Sequence, residues 1–150
     1  MIDAIKLLWK NLKGDFKILG TQEIDHNLIR GILPRNVNFN AGDAFYEIST
    51  RKEWEKFMQW WMLKHKKWTK EFDCDNFADI LHGWVKLMNP KICEGVIWVK
   101  VTNKINHAVN FIVIEEGEEI EWAYIEPQTG QIHRLTDKQV LNWHPYYVHM

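Results

Sequence analysis

The chain has 150 residues, 46% of them apolar and 26% charged, and a formal net charge of −1. That length suits a single domain over residues 1–150 with a sizeable core, and the composition excludes wholesale disorder. The near-neutral charge argues against a nucleic-acid partner, two cysteines make no disulfide scaffold, and no apolar run reaches membrane-spanning length.

Ile2, Ile5, Leu8, Trp9 and Leu12 recur at helical spacing, which predicts a helix over residues 2–13 ending at Gly14. Asp3, Lys6 and Lys10 interrupt it, so the segment reads as amphipathic and not as a signal-peptide core, and the cytoplasm is the default location. Residues 15–48, punctuated by Gly31, Pro34, Asn36, Asn38, Asn40 and Gly42, read as loops with short strands. Thr50-Arg-Lys-Glu53 matches a capping box, and Trp54, Phe57, Met58, Trp61 and Met62 predict a helix over 51–67. The chain carries nine Trp, and the Trp60-Trp61 pair suits a partner-binding surface or a homodimer contact. The basic stretch 64–70 reads as a solvated helix end. Asp73 is expected to cap a second helix from near Cys74, with Phe77, Leu81, Trp84 and Met88 as its apolar stripe and Asn89-Pro90 as its stop.

Beyond this point β-branched and aromatic residues dominate. Residues 96–102, 108–115 and 120–125 predict an antiparallel meander, with turns at 103–106 and 116–117. Gln128-Thr-Gly130 turns into a fourth strand over 131–135, and Thr136-Asp-Lys-Gln139 is expected to open a short helix to Trp143. Helices followed by antiparallel strands spell an α+β fold.

Three segments carry chemistry. In Phe72-Asp-Cys-Asp-Asn76 a thiol sits at a helix start, where unpaired N–H groups and the macrodipole favour the thiolate, although Asp73 and Asp75 oppose it. His107 begins a strand in Asn106-His-Ala-Val-Asn-Phe111, sharing a face with Val109 and Phe111 while Ala108, Asn110 and Ile112 share the other. Glu126, ahead of Pro127, ends the next strand within reach of that imidazole. Cys, His and acid in this order permit a thiol nucleophile (Cys74), a general base (His107) and an orienting carboxylate (Glu126).

These motifs, DCDNFAD, NHAVNF and YIEPQTG, resemble those of papain-like and transglutaminase-like cysteine proteases, above all the cysteine-protease domain of the Marasmius oreades agglutinin family. Over residues 54–135 the resemblance implies a papain-like fold, with N-terminal helices, one bearing the cysteine, against the meander. It implies a cysteine peptidase acting on a peptide or protein substrate through a thioester. Calcium or manganese is implied near the triad, with Asp75 as the matching ligand, although the thiol chemistry itself needs no cofactor. The chain departs from the papain-like pattern at Trp68, where an oxyanion-donating Gln is usual; Gln59 or Gln128 is the candidate replacement. Two further readings compete: a non-catalytic protein-binding module on the same fold, and acyl transfer of the transglutaminase or deamidase type. No zinc-binding spacing and no Gly-rich phosphate loop are present.

Overall fold

The computed structural model describes residues 18–64 and 72–150. The helix expected over 2–13, the tail of the one expected to reach 67, and Trp68 lie outside the described residues.

Two helices follow directly from side-chain spacing. Thr50 Oγ1 accepts the Glu53 N–H at 3.3 Å and caps α2 (Arg51–Lys64); α1 is the short His26–Ile32, capped by Asp25. Trp54, Phe57, Met58 and Trp61 recur at i, i+3, i+4 and i+7, so α2 buries one stripe. In α3 (Cys74–Met88) Phe77, Ala78, Leu81 and Val85 do the same. Both stripes meet Ile112, Ile114, Ala123 and Ile125 on one face of the sheet. Trp60-Trp61 therefore serves the interior: Trp61 is fully buried, and Trp60 stacks on Phe57 and meets Trp84 edge-on. Trp60, half-buried, is the member of the pair that keeps some exposed surface.

The meander is β4 (Glu94–Thr102), β5 (Ile105–Glu116), β6 (Glu119–Glu126) and β7 (Gln131–Arg134), with antiparallel neighbours and Gly117 at positive φ in the β5–β6 turn. β5 is buried over seven consecutive residues, Ala108 to Ile114, because both its faces are covered. Its second face packs Val109, Phe111 and Val113 with Ile24, Tyr46, Ile48, Trp122, Tyr124 and Val148. Along one edge β5 pairs with β4 up to Ile112 and then with β3 (Phe45–Thr50), in parallel, at Ile114 and Glu115. Along the other it pairs with β6. β1 (Gln22–Asp25) joins β3; β8 (His144–His149) joins β4 and, in parallel, β2 (Asn38–Asn40).

The result is one eight-stranded sheet, curled into a half-barrel, with 43% of the described residues in strand and 29% in helix. The expected papain-like α+β layout, helices laid against a simple meander, is corrected to this strand-dominated architecture. Four marginal strands account for the difference, two of them of only three or four residues, too short to show an alternation. The helix expected over 136–143 is instead a series of turns. Asp137 bonds back to the Arg134 N–H at 2.9 Å, and i to i+3 bonds link Asp137 to Val140 and Val140 to Trp143. His144-Pro145 then draws the chain out into β8.

Candidate functional site

The site forms where the start of α3 meets the end of β5 that runs beyond β6. The register Asn110↔Ile125 sets Glu126 across from Val109, one diagonal step from His107 on the same face. Glu126 Oε2 lies 2.6 Å from His107 Nε2, and its Oε1 accepts the Gln128 N–H at 3.3 Å. Both side chains are mostly withdrawn from solvent, 20% exposed for His107 and 13% for Glu126. The turn behind Glu126 is fixed independently: the Gly130 N–H donates to the Glu126 carbonyl at 2.8 Å, and Trp61 Nε1–H to the Pro127 carbonyl at 2.7 Å.

With Nε2 engaged, Nδ1 is the ring nitrogen left to face Cys74, and the thiol and the ring shift each other's pKa. Cys74 is the first residue of α3, half-buried, behind the N-cap Asp73, whose N–H donates to Asn76 Oδ1 at 3.2 Å. Past Glu126, β6 no longer covers the edge of β5, and Cys74 packs there against Ala108, with Ala78 and Val96 beside it. The thiol pKa is lowered, first by the hydrogen bond to His107, then, against desolvation, by the Ala108 amide and the imidazolium charge. Asp73 opposes the thiolate only weakly, ranking below all of these. For His107 burial disfavours the cation, but the hydrogen bonds and charges of Cys74 and Glu126 prevail and raise its pKa to about 9. The two shifts share one cause: each group favours the charged form of the other, and the Glu126 carboxylate adds to the preference for the imidazolium. Trp143 packs edge-on against the His107 ring at 5.4 Å and against Tyr124 at 5.2 Å, walling the pair on one side.

The structure thus brings Cys74, His107 and Glu126 together. It does not bring Gln59 to them: that side chain is exposed on α2, lining a shallow cavity of about 550 Å³ with Met58, Met62 and Gly130. Gln128 engages Glu126 through its backbone N–H. Asp75 accepts the Asn76 N–H at 3.1 Å and shares a hydrogen bond with Asp73, which raises the Asp73 pKa. A hard cation requires about six or more oxygens, and among the described residues no three His, Cys, Asp or Glu side chains converge. Sequence reasoning missed Trp143, hidden in an expected helix, and Glu94, a lone acid at the head of an apolar strand.

The fold is similar to that of a lectin. A complex of PSL1a with E64 superposes with a TM-score of 0.65 at 20% identity over 85% of this chain and 51% of that one. Polyporus squamosus lectin bound to the human-type influenza-binding epitope Neu5Aca2-6Galb1-4GlcNAc gives 0.65 at 19% identity, over 85% and 49%. The chain spans about half the length of these structures. No protein-family model matches it, and no match was found among curated proteins. Because these structures are those of a lectin, the assignment to papain-like or transglutaminase-like proteases, nearest the Marasmius oreades agglutinin family, is corrected. With it go the cysteine-hydrolase and thiol-protease activity and both alternatives, the papain-fold binding module and the acyl transferase. Three motifs of six or seven residues describe local chemistry, and neither a family nor an activity follows from local chemistry alone. Among the described residues no helix is long and apolar enough to cross a membrane.

Proposed function

We propose that the chain is a binding domain with a nucleophilic thiol at its centre, capturing a peptide or protein partner through Cys74. The contact chain Cys74–His107–Glu126 carries this reading, above all the 2.6 Å bond that holds the imidazole in place. In capture, the Cys74 sulfur adds to one carbon of an electron-poor double bond in the partner, the π pair moves to the far atom of that bond, and that atom takes up the thiol proton from His107. Until then the thiol proton resides on His107, whose positive charge Glu126 stabilises, and Trp143 limits water at the ring. Cys93 is the internal control: it is fully buried, and desolvation pushes its pKa far above the ordinary value. Iodoacetamide should therefore modify Cys74 at least about a hundredfold faster than Cys93 at neutral pH, and His107→Ala should remove most of the difference. Equal rates in the wild type would refute the reading.

The lectin structures favour a second reading, glycan binding, because one of them is described with a sialylated epitope. Titration with that trisaccharide, followed by amide chemical shifts, tests it; an unchanged spectrum at millimolar sugar excludes it.

A further inference from the structure

Glu94 and Asn110 are both fully buried on the α3 side of the sheet, in a region otherwise built from Ala78, Val96 and Ala108. Their register places them diagonally across β4 and β5, since Glu94 faces Ile112 and Asn110 faces Val96. Asn110 Nδ2 donates to Glu94 Oε1 at 2.7 Å and to the Ala78 carbonyl at 2.9 Å. Glu94 Oε2 lies 2.8 Å from His82 Nδ1. In an α-helix the N–H of residue 82 donates to the carbonyl of residue 78. The loop of contacts therefore closes, from Ala78 through Asn110, Glu94 and His82 back to Ala78, and grips one turn of α3 at both ends. Asn110 Oδ1 finds no partner among the described residues, an unfavourable feature that an apolar side chain of the same shape would avoid. The donor orientation is set by the network, because a flipped amide would oppose two acceptors.

We infer that Asn110, Glu94 and His82 are positioning residues that fix the height and rotation of α3 so that Cys74 meets His107. Ala78 lies one helical turn from Cys74, and Asn110 three residues along β5 from His107, so the clamp ties together the two elements that carry the pair. A change of an ångström in either would alter how the thiol faces the ring. The inference rests on the reading of Cys74 as a nucleophilic thiol.

The test uses the full chain and two readouts, the pH profile of Cys74 alkylation by iodoacetamide and the pH midpoint of the His107 ring by NMR. Asn110→Leu should lower the neutral-pH alkylation rate about tenfold and move its midpoint up by about one unit. Glu94→Gln keeps an acceptor for Asn110 but turns an N–H toward His82, so it should lower the rate less than Asn110→Leu does, by about threefold. His82→Ala removes a part-exposed corner of the clamp and should lower the rate about threefold, which keeps the test open if Asn110→Leu does not fold. A folded Asn110→Leu, or His82→Ala, with both profiles unchanged overturns the inference. If wild-type Cys74 proves no faster than Cys93, the functional reading fails, while the His107 midpoint still reports whether the clamp sets the contact.

Discussion

Replacing Glu126 by Gln isolates the part of the site that is electrostatic. The amide is close in size and can still bond His107 Nε2, so geometry is kept while the negative charge is lost. The raised His107 pKa of about 9, against 6.5 for an unperturbed ring, corresponds to about 3 kcal/mol of net preference for the cation. That preference exists despite burial, so Cys74 and Glu126 together supply more than the net figure. Assigning half of it to Glu126, and noting that charge-assisted hydrogen bonds are roughly twice as strong as neutral ones, gives a loss of about 1.5 kcal/mol. The His107 midpoint should fall by about one unit, and the Cys74 profile should move the opposite way, because a ring that is neutral more of the time stabilises the thiolate less. NMR titration of the ring and the pH dependence of alkylation measure the two sides separately. A Glu126→Gln midpoint within about 0.3 units of wild type would refute the claim that the carboxylate holds the imidazolium.

Three other outcomes follow from the same structure. The raised His107 pKa contributes stability that is complete below about pH 6.5 and lost through about pH 9, whereas the lowered Cys74 pKa contributes above about pH 9 and is lost as pH falls through its folded value. The two dependences oppose each other; Cys74→Ser removes one of them and should lower the His107 midpoint measured by NMR, and an unchanged midpoint would count against the pairing. Trp61→Phe deletes the donor to the Pro127 carbonyl in a buried place and should cost about 1–3 kcal/mol in urea unfolding, with a shift of the His107 midpoint; a cost below about 0.5 kcal/mol would show that the bond is dispensable. Gly130→Ala places a Cβ at φ +75° and 2.7 Å from the flexible Met62 side chain, so about 1–2 kcal/mol should be lost, and an unchanged melting temperature would contradict the turn geometry.

What the sequence reveals divides by range. Helices α2 and α3 and the strands of the meander are legible because their periodicities run long enough to be counted, and because Thr50 and Asp73 mark the helix starts. Cys74, His107 and Glu126 are legible as a set because neighbouring antiparallel strands bring the ends of successive segments together. The curl of the sheet is not, since it depends on β2 and β8 finding each other across nearly the whole chain. Nor is the Asn110–Glu94–His82 clamp, which exists only once the β4–β5 register and the height of α3 are both set. Trp143 escapes notice because Asp137 turns its carboxylate back toward Arg134 and a turn replaces the expected helix. The activity implied by the three motifs fails for a different reason: a thiol, a base and an acid state what a site can do to a bond, and the surrounding architecture decides which molecules reach it.

The parallel pairing of β2 with β8 separates the folding of the sheet from the folding of the site. Every member of the Cys74–His107–Glu126 set lies between residues 74 and 126, on elements joined by tight turns, so their contacts require only modest loop closures. Joining residues 38–40 to residues 147–149 instead requires nearly the full length of the chain to return on itself, the slow kind of contact. The thiol pocket should therefore assemble early, on α3, β5 and β6, and the half-barrel should close around it later. During that interval β4 presents an unpaired edge where β8 will dock, which makes closure of the seam the step most exposed to misassembly between chains.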